Sequence, residues 1–176
     1  MYQYQYKVYG PFEIPRNDDG YLDLSHQSIR QFWNDIADTE EDLPNACGCY
    51  VFHITNKPWY VGLASCQSFR KESLLQKQSA YLEAHNRTNH YGTPSLILIA
   101  KHTPTGRFAK PSKNMQKDIA LLEELLIGQA LRRNPHLINI AKTTLLKRMQ
   151  VPGVLNTSHG QGNAIAVKSL RKIMGV

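Results

Sequence analysis

The chain has 176 residues, a length typical of one domain with a single core. Apolar residues make up 41% of it, which excludes a disordered chain, and no apolar stretch approaches the roughly 20 residues that span a bilayer. The net charge of +7 favours a polyanionic partner, because neutralised phosphates release condensed counterions. The first residues contain no basic segment followed by an apolar run, so we expect no signal peptide, no membrane partner and a cytoplasmic location.

The N-terminal quarter predicts a strand, a turn and a helix. Residues 1–14 alternate tyrosine with polar residues, which is typical of a strand. An Asn-Asp-Asp-Gly turn follows at 17–20. A helix is predicted over 25–38, with Ser25 as its cap. Its apolar residues fall on one stripe: Ile29, Phe32, Trp33 and Ile36.

The middle of the chain alternates strand and helix patterns. In chain order we predict strands at 46–55 and 59–63, a helix at 68–83, a strand at 96–100 and a helix at 114–133. The first two strands form a hairpin through Asn56-Lys57-Pro58, and a polar loop covers 85–94. This order predicts an α+β domain with a small, mostly antiparallel central sheet of about three core strands, flanked by helices.

The hairpin contains a pair of tripeptides with a known parallel. Gly48-Cys49-Tyr50 lies in the first strand and Tyr60-Val61-Gly62 in the second, with nine residues between the two tyrosines. The pair resembles the motif that names the GIY-YIG nucleases, with Cys and Val in place of the two Ile residues. The resemblance covers 46–140, about half the chain.

Three further positions strengthen the resemblance. Arg70 lies eight residues after Gly62, the place of the family's catalytic arginine. Glu123 resembles the family's catalytic glutamate on the following long helix. Pro135 and Asn139 are similar to the proline and asparagine that close the family's module.

The helical pattern also singles out Glu123. On a 100° wheel, Ile119 and Leu126 surround its direction, whereas Glu124 points elsewhere. A lone carboxylate among apolar neighbours costs several kcal/mol unless it is paired or bound to metal. A buried ion pair with an arginine is the alternative, and that arginine could be Arg70.

The resemblance implies a metal-dependent endodeoxyribonuclease that leaves a 5′ phosphate and a 3′ hydroxyl. One Mg²⁺ or Mn²⁺ ion would be held by Glu123, since a carboxylate suits a hard cation that keeps several waters. The metal would polarise the phosphate. Arg70 would bind phosphate oxygens through its planar fork.

The remaining motif residues receive roles from the same resemblance. Tyr50 would orient or deprotonate the attacking water, for which a phenol with a pKa near 10 needs a nearby cation. Tyr60 would hydrogen-bond the phosphate or Tyr50. Gly48, Gly62 and Asn139 would support the site.

One position departs from the family pattern. Many members carry a His or Tyr about four residues beyond the arginine, where this chain has Leu74. A lysine (Lys71 or Lys77) or a histidine of the 85–94 loop could substitute, or the proton path could differ. All three alternatives stay open at this point.

Basic and polar side chains outside the motifs are candidates for DNA contact, because Asn, Arg and His read base edges and Lys binds phosphate. They are Lys71, Lys77, His85, Arg87, His90, Lys168, Arg171 and Lys172. The last three lie on a helix predicted at 164–174. A solvated surface is the alternative for each of them.

We predict a single domain over 1–176, with an N-terminal extension (1–45), the module at 46–140 and a basic extension (141–176). Restriction enzymes, repair nucleases, mobile-element endonucleases and defence effectors all use this module, and its length favours a stand-alone member with DNA as partner. A toxin-like effector would need an immunity partner, and a restriction enzyme a modification partner. The rival class is a non-catalytic nucleic-acid binding module. The sequence leaves the oligomeric state open.

Overall fold

The computed structural model describes residues 5–114, 116–139, 143, 144, 148 and 165–174. The chain divides into two compact units, residues 1–139 and residues 140–176. No helix in the described ranges is long and apolar enough to cross a membrane.

The first unit is built on a four-stranded antiparallel sheet. Its strands are β1 (Gln5–Glu13), β2 (Gly48–Ile54), β3 (Lys57–Ala64) and β4 (Pro94–His102). They lie in the order β1-β4-β2-β3. The α+β class and the antiparallel sheet are confirmed. The strand count differs from the expected three, because the N-terminal strand pairs with β4 and so belongs to the same sheet.

The predicted hairpin is β2–β3. Tyr50 lies opposite Gly62 and Phe52 opposite Tyr60, so the two motif tyrosines share one face of the sheet. The turn is shorter than predicted, because Lys57 already belongs to β3 and the reversal occurs at Thr55, which has a positive φ of 53°.

In the described residues, α-helices flank the sheet of the first unit, and a further α-helix lies in the second unit. They are α1 (His26–Thr39), α2 (Gln78–Arg87), α3 (Lys117–Arg133) and, in the second unit, α4 (Ile165–Met174). The Ser25 side chain accepts a hydrogen bond from the Ser28 amide at 3.3 Å, as predicted for the α1 cap. The whole apolar stripe of α1 is buried, so the helical pattern was correct there.

The helix predicted over 68–83 is broken. Residues Arg70–Leu74 form a π-helical turn, and regular helix resumes only at Gln78. The Ser73 hydroxyl donates to the Phe69 carbonyl at 2.9 Å, a back-bonding contact that bends helices. α2 then continues to Arg87, so the first three residues of the predicted 85–94 loop are helical.

Among the described residues, apolar clusters pack on both faces of the sheet. Alternate residues of β2, such as Tyr50 and Phe52, pack with α1 and α2. Cys49 packs with Ile119 of α3 in the other cluster. This alternation follows from the period of two of a strand.

Candidate active site

The motif tyrosines are held side by side by the hairpin register. Tyr50 is fully buried, and its ring centroid lies 6.2 Å from that of Tyr60 in a stacked arrangement. Gly62 makes room for this ring, because a Cβ atom at position 62 would lie 2.4 Å from the Tyr50 phenol oxygen. The glycine of the second motif is therefore required by the tyrosine of the first.

The glycine of the first motif, Gly48, avoids a clash with the backbone of β4. A Cβ atom on Gly48 would lie 2.0 Å from the carbonyl oxygen of Ile99, far inside contact distance. Only glycine allows β4 to approach β2 this closely.

Asn139 forms hydrogen bonds to the backbone of β3 at its outer edge. Its side-chain oxygen accepts a hydrogen bond from the Val61 amide at 2.9 Å, and its side-chain nitrogen donates to the Val61 carbonyl. Ile138 donates its amide to the Trp59 carbonyl at 2.9 Å. The segment after α3 thus fixes the strand that carries Tyr60.

Glu123 is buried on α3, with 7% of its surface exposed, whereas Glu124 is exposed. This difference confirms the prediction from the helical wheel. The charge of Glu123 contributes to raising the pKa values of both Tyr50 and Tyr60. The carboxylate therefore lies within electrostatic range of both motif phenols.

Tyr81, Glu72 and Lys77 surround the motif tyrosines, and sequence reasoning gave the first two no role in the site. The ring of Tyr81 on α2 lies 4.1 Å from that of Phe52 and 6.1 Å from that of Tyr60. The Lys77 ammonium lies 3.3 Å from a carboxylate oxygen of Glu72. Their positions depend on the break in the predicted helix, for which the sequence pattern gives no signal. We refer to Tyr50, Tyr60, Tyr81, Glu72, Lys77 and Glu123 as the tyrosine cluster.

The phenols of the cluster differ in their electrostatics. Burial raises the pKa of Tyr50 far above its usual range, and the neighbouring phenols and carboxylates add to the rise. Burial also raises the pKa of Tyr60, but the positive charge of Lys77 opposes this rise. Tyr60 is half-buried, whereas Tyr50 and Tyr81 are fully buried.

The Arg70 side chain forms a hydrogen bond to the backbone of α1. Its Nη2 donates to the Trp33 carbonyl at 3.4 Å, and its buried Nε has no hydrogen-bond partner among the described residues. The side chain borders a cavity of about 300 Å³ between α1 and the π-helical turn. The other residues lining it are His26, Ile29, Arg30, Trp33 and Leu75. Within the part of the chain that the structure describes, the lining contains three basic side chains and no acidic one.

Leu74 is fully buried in the main core cluster. It therefore packs the π-helical turn against the sheet and offers no proton-transferring group. The place of the family's helix histidine or tyrosine is an ordinary core position in this chain.

The predicted DNA-contacting residues of the first unit fall into different environments. Lys71 and Arg87 are exposed, although Arg87 pairs with Glu83 at 2.5 Å. His85 is 1% exposed, because it is a helical residue packed inward, and it presents little surface for the predicted DNA contact. His90 is half-buried, and its Nδ1 lies 3.4 Å from that of His85.

The second unit presents the basic residues predicted in the C-terminal extension. Lys168, Arg171 and Lys172 are exposed on α4, together with Ile165 and Ile173. The helix itself confirms the prediction for 164–174 to within one residue.

The described residues contain no group of three or more His, Cys, Asp or Glu side chains arranged to hold a metal. A Mg²⁺ ion does not require such a group, because it keeps several waters and is often held by one or two carboxylates. The buried carboxylate of Glu123, within electrostatic range of two phenols, fits that mode of binding.

No protein-family model, curated protein or solved structure matches this chain. The likeness to the GIY-YIG nucleases therefore depends on the motif residues and their spacing, and it stays a prediction.

Proposed function

We propose that this protein is a metal-dependent endodeoxyribonuclease of the GIY-YIG type, acting on DNA in the cytoplasm. The observation that carries the proposal is the burial of Glu123 within electrostatic range of Tyr50 and Tyr60. A nucleic-acid binding module has no need of a buried carboxylate, whose desolvation costs several kcal/mol.

Hydrolysis of a phosphodiester needs a clamp on the phosphate, an oriented water and help for the leaving oxygen. Glu123 would hold the divalent ion, Mg²⁺ or Mn²⁺, which supplies a Lewis acid when bound. Arg70 is always charged and offers bidentate donors to phosphate oxygens.

The phenols would orient the water. Tyr60 is half-buried and Tyr50 is fully buried, so Tyr60 is the phenol that solvent and substrate can reach. Tyr50 would hold the ring of Tyr60 in place by stacking. Gly48, Gly62 and Asn139 would maintain the strand geometry that this arrangement needs.

The experiment is a cleavage assay of the purified full chain on plasmid DNA, single-stranded DNA and RNA, each with Mg²⁺, Mn²⁺ or EDTA. We expect cutting of DNA that EDTA abolishes, with 5′ phosphates at the new ends. Binding without cutting under every condition would instead indicate the non-catalytic module.

A further inference from the structure

The cavity that Arg70 borders lies between α1 and the π-helical turn, and the proposed reaction does not use it. Its volume of about 300 Å³ is at the lower end of the range of small-molecule sites, roughly 300–1,000 Å³. A space of this size accommodates one compact ligand group. The inference that follows names that group and depends on the proposed function, in which Arg70 binds a phosphate of the substrate.

The apolar part of the lining runs from the core to the surface. Ile29 and Trp33 of α1 are buried, whereas Leu75 is 47% exposed, and all three border the cavity. The apolar lining is therefore accessible from solvent at Leu75. Such a lining suits a flat ring with apolar faces.

The rest of the lining is cationic. His26 and Arg30 are exposed residues of α1, and Arg70 is half-buried. Both arginines are charged at any physiological pH, and the lining contains no acidic side chain among the described residues. The ligand that matches this cavity combines an apolar ring with a negative charge.

The π-helical turn explains why Arg70 and Leu75 border the same cavity. They are five residues apart, a separation at which side chains do not meet on a regular α-helix. Over Arg70–Leu74 the chain is π-helical, with hydrogen bonds that span five residues. The hydrogen bond from Arg70 Nη2 to the Trp33 carbonyl also holds the guanidinium against α1. The phosphate-binding group and the apolar lining are thus fixed next to each other.

We propose that the cavity binds one unpaired nucleotide of the DNA substrate, with the base on the apolar lining and a phosphate of the same nucleotide on Arg70 and Arg30. A nucleotide matches both parts of the lining, since its base has apolar faces and its phosphate is an anion. In a paired duplex the base is stacked and reaches a cavity only after extrusion, whose free-energy cost is smallest for a base that is already unpaired. The substrate class is therefore DNA with an unpaired nucleotide beside the bond that is cut.

Binding of the full chain to DNA in EDTA tests this inference apart from cleavage. The probes are two fluorescein-labelled duplexes of the same sequence, one fully paired and one with a single 2-aminopurine nucleotide bulged from one strand. We expect the bulged duplex to bind at least about tenfold more tightly. The emission of 2-aminopurine should change on binding, because the base leaves water for the cavity. Equal affinity for the two duplexes overturns the inference.

A substitution at Leu75 tests whether the cavity is the binding site. Leu75→Trp adds volume to the lining, so this variant should bind both duplexes with equal affinity and leave the 2-aminopurine emission unchanged. Leu82→Trp is the matched control, because Leu82 is 42% exposed and does not line the cavity. It should keep the preference for the bulged duplex. A preference that survives in Leu75→Trp rules out the cavity as the site.

A substitution at Arg30 tests the phosphate contact without filling the cavity. Arg30 is exposed, so the fold should tolerate Arg30→Gln. This variant should reduce the preference for the bulged duplex by at least about threefold, because it removes a charge from the nucleotide site. Arg107→Gln removes a charge from an exposed position outside the cavity and should leave the preference unchanged. An undiminished preference in Arg30→Gln overturns the role of this arginine.

Cleavage of the same duplexes with Mg²⁺ separates this inference from the proposed function. Cuts should lie next to the bulged nucleotide. A protein that prefers the bulged duplex in EDTA but cuts neither duplex with Mg²⁺ or Mn²⁺ overturns the nuclease and supports the nucleotide-binding cavity. A protein that cuts both duplexes alike and shows no preference in EDTA supports the nuclease and overturns the inference.

Discussion

Tyr50 lies directly opposite Gly62 in the β2–β3 pair, and a Cβ atom at position 62 would come within 2.4 Å of the Tyr50 phenol oxygen. Because the second glycine of the paired motif has no side chain, it leaves room for the ring of the first tyrosine. The two tripeptides of the motif constrain each other through packing, independently of any chemistry.

The first prediction follows from this packing. Gly62→Ala should lower the free energy of unfolding by about 1–3 kcal/mol, the usual cost of forcing extra volume into a packed core. Denaturant unfolding monitored by fluorescence measures the change. Gly128→Ala is the control, because a Cβ atom there meets no described atom within 4 Å. The control should gain about 0.5–1 kcal/mol from its helical position, and equal behaviour of the two variants would contradict the packing argument.

Much of the fold could be predicted from periodicity. The stripe of α1 and the cap at Ser25 are read directly from spacing, and so are the hairpin and β4. The partner of β1 could not be predicted, because alternation indicates a strand without saying which strand it joins. Its pairing with β4 depends on the tertiary arrangement of the sheet.

The site was predictable only where a motif marks it. Tyr50, Tyr60 and Glu123 stand out by spacing or by helical direction. The pairing of Glu72 with Lys77 does not, since their approach depends on the break in the predicted helix, where the Ser73 hydroxyl bonds to the Phe69 carbonyl. The polar composition of residues 85–87 predicted a loop, but these residues continue α2, and His85 is buried.

The second prediction separates the two motif phenols. Sequence alone favoured Tyr50 for water activation, whereas its complete burial favours Tyr60. Tyr50→Phe should therefore cut within about tenfold of wild type, while Tyr60→Phe should lose about 10²–10⁴-fold in rate.

Stability should show the reverse order. Tyr50→Phe removes a buried hydroxyl that has no described partner, a group whose burial costs about 1–3 kcal/mol in proteins. Tyr50→Phe should thus be at least as stable as wild type in a thermal melt. A larger loss of cleavage in Tyr50→Phe than in Tyr60→Phe would restore Tyr50 as the activating residue.

The third prediction concerns Arg70. Arg70→Lys keeps the charge and loses the bidentate fork, so we expect the single-turnover rate to fall by at least about tenfold, equivalent to roughly 1.4 kcal/mol of transition-state stabilisation. Arg107→Lys changes an exposed arginine and should leave the rate unchanged. Undiminished cutting by Arg70→Lys would mean that this arginine contributes only a diffuse positive charge.

The fourth prediction concerns DNA binding by the second unit. Replacing Lys168, Arg171 and Lys172 by Ala should weaken binding to duplex DNA of any sequence, because all three are exposed on α4. The slope of log K against log salt should become less negative by about 0.9 for each phosphate that the variant no longer neutralises.

Binding isotherms at several salt concentrations provide this slope. A triple replacement of exposed lysines of the first unit, at positions 7, 110 and 113, is the matched control for net charge. If both triple variants change the slope equally, α4 contributes only to the overall charge of the protein.

The most direct test of the nuclease assignment compares two neighbouring glutamates in the same cleavage assay. Glu123 is buried near the motif phenols and Glu124 is exposed, and Gln keeps the shape of each while removing its charge. With Mg²⁺ and DNA, Glu123→Gln should lose cleavage altogether while unfolding at or above the temperature of the wild type, and Glu124→Gln should cut like wild type. Full Mg²⁺-dependent cutting by folded Glu123→Gln would contradict the account.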